Sequence, residues 1–305
     1  MANLKVAYVP EHFSTPLFFA NDEKYFAAKN ISVEFVPVPE GTGRLIKLVS
    51  SKEVDIAIGL TEGFIADVAK GNGAYQIVDT YVKSPLCWAI SSGNPRNDIQ
   101  KPDDLQGKTI GVSRIGSGSY IMSYVLGLQL NFQEPYFNDF KVCSNFKTLR
   151  ESVNHKTEDV SLYSDAFMWE HFTSKKYYDN GEIKKIGEIY TPWPSWVITV
   201  NQETLKSKTN DIKNFLVSVN QGIHHFLENP EKATKWISDN LDYSEEDAQS
   251  WLKTVEFNDQ LGQVPIDWVK VVEKTADTLK IAGVLTDDDA TIDSRLKAGV
   301  LSKPL

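Results

Sequence analysis

Cysteine is almost missing from this chain, with only Cys87 and Cys143 among 305 residues. Neither lies in a C-x-x-C, so no disulfide framework or zinc-type ligand spacing is offered, and both read as small buried apolar residues. Long hydrophobic runs are missing too. No stretch approaches the roughly 20 apolar residues of a membrane span, and the most apolar run, Tyr120 to Leu130, is interrupted by Ser123, Gly127 and Gln129. The opening Met-Ala-Asn-Leu-Lys-Val has neither the core nor the cleavage site of a signal peptide. A soluble, cytoplasmic protein is therefore expected, or a periplasmic or surface-anchored one if a leader has been removed. Positive charge is in deficit: 32 Lys and Arg against 41 Asp and Glu leave a net charge of −9, which argues against nucleic acid as a partner. Signatures of catalysis are absent as well. No serine sits in a G-x-S-x-G elbow, no spacing argues for a Cys/His pair, and no Gly-rich loop ends in G-K-[ST]. His155 and His171 have no companions at ligand spacing, and the neighbours His224 and His225, about 100° apart on a helix, cannot chelate one ion. No catalytic residue, metal or cofactor is expected.

What is present is an α/β pattern. A length of 305 residues suggests about two domains, and 41% hydrophobic with 24% charged residues excludes a disordered or coiled-coil chain. Over the first two thirds, β-rich runs alternate with helix-period segments, which predicts mostly parallel sheets covered by helices. The expected strands are Leu4 to Val9, Val33 to Val38, Asp55 to Gly59, Tyr75 to Tyr81, Leu86 to Ile90, Thr109 to Ser113, Val160 to Tyr163 and Trp196 to Val200. The expected helices are Arg44 to Ser51, Glu62 to Lys70, Ser119 to Leu130, Phe146 to His155 and Asp165 to Lys176. From about Thr209 the texture is helical, with Ile212, Phe215, Leu216, Val219, Ile223 and Phe226 in helical spacing. Two segments echo one another. Arg44 onward reads helix, turn, Asp55, strand, then Glu62 opening a helix; Phe146 onward reads helix, turn, Asp159, strand, then Asp165 opening a helix. Turn-rich junctions at Ser91 to Arg96 and Thr191 to Ser195 place lobe 1 at 1–91 plus 196–305 and an inserted lobe 2 at 92–195. Ligands of open α/β sheets lie beyond the carboxyl ends of the strands, so a cleft between two such lobes is expected.

The stretch Gly-Thr-Gly-Arg-Leu-Ile-Lys-Leu-Val-Ser-Ser-Lys-Glu-Val-Asp-Ile-Ala-Ile-Gly from Gly41, and Lys101-Pro-Asp-Asp-Leu-Gln-Gly-Lys-Thr-Ile-Gly-Val, resemble paired motifs of type II periplasmic-binding-protein-like domains. The chain is similar in particular to the branch holding the sulfonate, nitrate and taurine receptors, a pyrimidine-precursor receptor and the fungal thiamine-pyrimidine synthase. The resemblance implies a two-lobed Venus-flytrap fold with a helical C-terminal region, closing on a small molecule, usually as the capture component of an importer. The synthase takes its pyrimidine from its own histidine and a lysine-bound pyridoxal phosphate, with a cysteine-rich iron-binding segment. Its lysine and histidine follow the strand matching Asp55 to Gly59, where this chain has Thr61 and Ile65 and no cysteine cluster. The resemblance therefore does not carry that chemistry across.

Several residues are candidates for ligand contact. Ser113-Arg-Ile-Gly-Ser-Gly-Ser follows a strand and opens a helix, so backbone N–H groups at Gly116, Ser117, Gly118 and Ser119, with the Arg114 charge, suit an anion; a plain Ser/Gly helix cap is the alternative. Gly41, Thr42 and Gly43 form a second such turn. Tyr8, Glu11 and His12 follow the first strand, where they supply a ring, a carboxylate and an imidazole, or simply a solvated loop. Glu62 and Asp165, at matching places in the echo, suit an amine or amidine if both face a ligand, and otherwise compensate helix N-termini. Thr61 adjoins Glu62 at the same strand end. Tyr81, Trp169 and Trp193 offer plates for a flat ring, while Trp236, Trp251 and Trp268 read as core. The leading expectation is a small-molecule-binding protein without catalysis, for a pyrimidine precursor or sulfonate-like anion. The alternatives are an enzyme of thiamine-pyrimidine biosynthesis or an importer's receptor, with any transporter partner left open.

Overall fold

The computed structural model describes residues 2–305. Its strands are β1 (Ala2–Tyr8), β2 (Ile31–Pro37), β3 (Ile56–Leu60), β4 (Tyr75–Val82), β5 (Cys87–Gly93), β6 (Thr109–Val112), β7 (Asp139–Val142), β8 (Ala166–Glu170), β9 (Ile183–Tyr190) and β10 (Trp196–Asn201). They form two five-stranded sheets, ordered β2-β1-β3-β10-β4 and β7-β6-β8-β5-β9. In the first, β1 runs parallel to β2 and β3, and β10 is antiparallel to β3 and β4. In the second, β6 runs parallel to β7 and β8, and β5 is antiparallel to β8 and β9. Both sheets therefore share one plan, with the single antiparallel strand in fourth place. β10 lies inside its sheet and every one of its residues is buried, as expected for a strand covered on both faces.

The chain divides into two compact units. One comprises the chain up to Ser84, Trp193–Ala276 and Leu285–Leu305; the other comprises Pro85–Pro192 and Asp277–Val284. The junctions differ from those expected at 91/92 and 195/196. β5 pairs with β8 and β9, so its residues go with the second sheet, and the turn-rich Ser91 to Arg96 stretch lies inside that unit. The C-terminal helices also do not all go with the first unit: Asp277–Val284 joins the second, where the Tyr120 hydroxyl donates to the Ala282 carbonyl at 3.2 Å.

In both units the parallel strands feed helices at their carboxyl ends. In the first unit, β1 leads to Thr15–Asp22, β2 to Thr42–Ser50 and β3 to Thr61–Ala69. In the second, β6 leads to Gly118–Gln129, β7 to Phe146–Val153 and β8 to His171–Asp179. The long helix Thr209–Glu228 buries Ile212, Phe215, Leu216, Val219, Ile223 and Phe226. It stacks Phe215 on Phe26 with ring centroids 5.5 Å apart. Its Gly222 is needed for close approach, since a Cβ there would lie 2.4 Å from the Pro16 carbonyl oxygen.

Two expected elements fall elsewhere. Val160 to Tyr163 is no strand but a 3-10 turn over Val160–Leu162. The Asp159 carboxylate accepts the Ser161 N–H at 2.9 Å, and a local side-chain bond of this kind competes with sheet pairing. Val160 stands 66% exposed. The sheet strand is β8, and the following helix starts at His171 rather than Asp165. Cys143 joins the apolar cluster of Leu149, Val153, Phe167 and Ile183, whereas Cys87 is only half-buried and is no core residue.

Candidate functional site

In the second unit, the turn from β6 to Gly118–Gln129 brings the serines and glycines into one structure. Gly116 takes φ +77°, a conformation glycine adopts without a Cβ penalty. The Ser117 N–H bonds to the Arg114 carbonyl at 3.1 Å, closing the turn. Ser117 is the extended residue before the helix. The Ser119 hydroxyl accepts the Ser113 N–H at 3.1 Å and lies 2.9 Å from the Ser117 hydroxyl. These two side chains are buried and hold the turn, while Gly118 is half-buried and Arg114 exposed. A twelve-residue helix starts here, so its first N–H groups and the positive end of its dipole lie at the turn that carries Arg114. That arrangement is suited to an anion.

Asp165 has another task. It precedes β8 instead of following a strand, and accepts Arg96 Nη1 at 2.6 Å and the Thr109 N–H of β6 at 2.8 Å. Its counterpart in the first unit is Asp55, which accepts the Lys5 N–H of β1 at 2.9 Å. The matched acids are thus Asp55 and Asp165, and the expected pairing of Glu62 with Asp165 is corrected. Trp169, within β8, stacks on Phe146 at 5.1 Å.

In the first unit, His12 opens a short 3-10 turn after β1 and is completely buried. Its ring lies between Tyr243 and Trp251, with centroids 4.4 and 4.1 Å away. Burial pushes its pKa well below the ordinary 6.5, so the imidazole is neutral. Tyr8 ends β1, packed edge-on against Phe18 and Phe35, and burial raises its phenol pKa. Glu11 is half-buried just before the 3-10 turn. At the end of β2, Gly41 takes φ +81° and Gly43 lies within the first turn of Thr42–Ser50. Thr42 Oγ1 accepts the Leu60 N–H at 3.1 Å, which ties that helix to the end of β3.

Past β3, Thr61 is fully buried and its hydroxyl donates to the Pro194 carbonyl at 2.5 Å. Glu62 is also buried, and its Oε2 accepts the indole N–H of Trp193 at 3.0 Å. Trp193 is therefore joined to a carboxylate instead of standing as an open plate. Trp196 is packed inside too, as is Trp251. Tyr81 is buried and donates to the Phe13 carbonyl at 2.8 Å.

Two buried acids escaped the sequence reading. Asp79, in β4, accepts N–H groups from Gly262 at 2.6 Å, Thr80 at 2.8 Å and Asn258 at 3.0 Å. It lines a cavity of about 300 Å³ with Lys83, Glu256, Gln260 and Ile266, and burial pushes its pKa up to about 7 against those three bonds. Glu170, at the end of β8, caps the next helix by accepting the Thr173 N–H at 2.6 Å, and burial takes it also to about 7. The available signal was an acid inside an apolar strand run, as in Ile77-Val78-Asp79 and Phe167-Met168-Trp169-Glu170. No helix among the described residues is long and apolar enough to cross a membrane.

Two α/β units, with matching sheet orders and ligand-type turns at the strand ends, define a two-lobed periplasmic-binding-protein fold. Solved structures agree. The alkanesulfonate-binding protein SsuA from Xanthomonas axonopodis pv. citri, bound to MOPS, aligns with TM-score 0.75 at 12% identity, over 99% of this chain and 98% of its own. The periplasmic nitrate-binding protein NrtA from Synechocystis PCC 6803 aligns with TM-score 0.69 at 12% identity, over 97% and 86%. At those identities the likeness concerns the fold alone. The Candida albicans CA3427 gene product is 56% identical, with TM-score 0.93 over 100% of this chain and 98% of its own. The model of the Ca3427-like PBP family matches residues 88–189. The chain belongs to the family that the Candida albicans CA3427 gene product defines. A search of curated proteins finds no match.

Proposed function

We propose that this chain captures a small anionic or flat heterocyclic metabolite, of the sulfonate or pyrimidine-precursor class, and does not turn it over. The observation that carries the reading is the Ser113–Ser119 turn, where helix N–H groups and Arg114 are gathered at the carboxyl end of β6. The sulfonate and nitrate named for two fold relatives are both small anions, which supports the same ligand class. The absence of turnover is supported by Thr61, a buried hydroxyl tied to Pro194 where pyridoxal phosphate chemistry would need an amine.

The experiment is a thermal-shift screen of sulfonates, carboxylates and pyrimidines, followed by calorimetry of Arg114→Ala. A ligand at a hundred times its Kd stabilises the fold by about 2.7 kcal/mol. Loss of the guanidinium weakens anion binding by about 1.5 to 3 kcal/mol, the value of a charge-assisted bond, in a protein that still folds. Unchanged affinity removes Arg114 from the site. A stoichiometric lysine adduct after incubation with pyridoxal phosphate and borohydride, or release of a pyrimidine, defeats the binding-only reading.

A further inference from the structure

Cys87, His171 and Glu188 lie far apart in the sequence, yet one donor atom from each falls within 4.8 Å of the others. They are the one group of three or more His, Cys, Asp or Glu residues with that spacing among the described residues. The sheet itself brings them together. β5 lies between β8 and β9 and is antiparallel to both, with Cys87 opposite Tyr190, Ala89 opposite Glu188 and Trp88 opposite Glu170. His171 follows Glu170 and so continues the register toward Cys87. Directly opposed residues of antiparallel strands point to the same face, which puts the thiol, the imidazole and the carboxylate on one side of three adjacent strands.

We propose that these three side chains form a binding site for a divalent zinc-class cation, with the fourth coordination position open to water or a small ligand. Thiol, imidazole and carboxylate together select zinc or a similar transition ion over magnesium or calcium, which prefer all-oxygen shells. Zinc bonds of about 2.0 to 2.3 Å separate tetrahedral donors by roughly 3.5 Å. Donors within 4.8 Å of one another thus need to close by about 1 Å, within the reach of His and Glu side-chain rotation. Three protein ligands with an open position is the pattern of non-structural zinc sites. Burial, with Glu188 and Glu170 nearby, pushes the Cys87 thiol pKa up to about 11, so a bound cation has to displace its proton. Glu188 is already oriented, accepting the Tyr190 hydroxyl at 2.9 Å and Lys185 Nζ at 2.7 Å. The Tyr190 bond takes the place of an outer-shell hydrogen bond that fixes a ligating carboxylate. The Lys185 ammonium is also the resident competitor of an incoming cation, and its side chain is 32% exposed, so it can turn to solvent.

The test is titration of the metal-stripped full chain with cobalt(II), read by thiolate-to-cobalt charge-transfer absorption and then by displacement with zinc. One equivalent is expected to produce the band. Cys87→Ser abolishes it while Cys143→Ser leaves it intact. His171→Ala and Glu188→Gln each weaken zinc binding by about tenfold or more, the lower bound being set by the effect of losing even an outer-shell partner. Lys185→Met tightens it, an outcome that a purely structural cluster does not give. Absence of the band at stoichiometric cobalt in the folded protein, or its persistence in Cys87→Ser, overturns the proposal. Should Cys87→Ser fail to fold, alkylation of the wild-type chain decides: zinc slows modification of Cys87 and not of Cys143, and equal rates with and without zinc overturn the site.

Discussion

Acidification from neutral pH toward pH 5 should weaken this fold at His12. His12 has no exposed surface and lies between the Tyr243 and Trp251 rings, with Phe13 edge-on to it at 4.6 Å. Two effects oppose one another there. A protonated imidazole between two ring faces would gain about 0.5 to 2 kcal/mol from each as a cation–π contact. Burying its charge costs up to about 4 to 7 kcal/mol, equivalent to a shift of roughly 3 to 5 pKa units. Burial wins, so the folded-state pKa lies well below the ordinary 6.5. The sign follows: when the folded pKa of a base is depressed, the unfolded chain binds the extra proton at low pH. Its contribution is fully present above about pH 6.5 and is lost as pH falls, by up to about 1.4 kcal/mol per pH unit. Between pH 6.5 and 5 the loss is about 2 kcal/mol. The measurement is urea unfolding at several pH values for the wild type and His12→Phe, which keeps a ring in the sandwich and cannot titrate. Asp79 and Glu170, whose pKa values burial takes up to about 7, are common to both proteins and cancel in the difference. Stability curves that run parallel from pH 7.5 to 5 would refute the argument.

Gly222→Ala should lower stability by about 1 to 2 kcal/mol, because a Cβ 2.4 Å from the Pro16 carbonyl oxygen and 3.0 Å from the Ala20 N meets backbone that cannot give way; this overpacking exceeds the gain of about 1 kcal/mol in helix propensity. The denaturation midpoint reports it, and an unchanged midpoint would mean that the two helices separate at no cost. Trp193→Phe removes the N–H that Glu62 accepts and part of the indole's volume at a fully buried site, costing at least about 1 to 3 kcal/mol for the unsatisfied acceptor with a cavity term added. The double variant with Glu62→Gln should recover part of that loss, and strict additivity of the two changes would count against a direct bond.

Most strands with buried faces were legible because apolar residues mark them. Leu4 and Val6 on β1, Ile56 and Ile58 on β3, and all of β10 are buried where the sequence reading expected strands. β7 was not legible. It is an edge strand of four residues, Asp-Phe-Lys-Val, whose two ends are exposed, so no apolar face distinguishes it from a loop. β8 was displaced because the apolar Val160 and Leu162 drew the assignment into the Asp159 turn. The turns at Gly41 and Gly116 could be recognised from glycine after a strand, and both take positive φ. The surroundings of His12 could not, since two of the rings against it, Tyr243 and Trp251, come from the distant C-terminal helical segment. Likewise Cys87 and His171 have no telling spacing, because strand register brings them together.

The internal repeat separates what the sheet requires from what chemistry can vary. In each unit an acid stands immediately before the third parallel strand, β3 or β8, and accepts an N–H from the first, β1 or β6: Asp55 from Lys5 at 2.9 Å and Asp165 from Thr109 at 2.8 Å. Each is also held by a side chain, Thr204 Oγ1 at 2.8 Å for Asp55 and Arg96 Nη1 at 2.6 Å for Asp165. A carboxyl acceptor at that point saturates a backbone donor where the pairing of the first and third strands begins, a need that both sheets have in common. Setting the repeat by these acids makes Thr61 and His171 counterparts, each the first residue of the helix after the third strand. At this shared position the two units differ in kind. Thr61 spends its hydroxyl on the Pro194 carbonyl and fastens the chain, whereas His171 brings an imidazole to a thiol and a carboxylate. The side chain at this position differs between the two sheets, which is why the metal-site proposal concerns one unit and predicts no equivalent in the other.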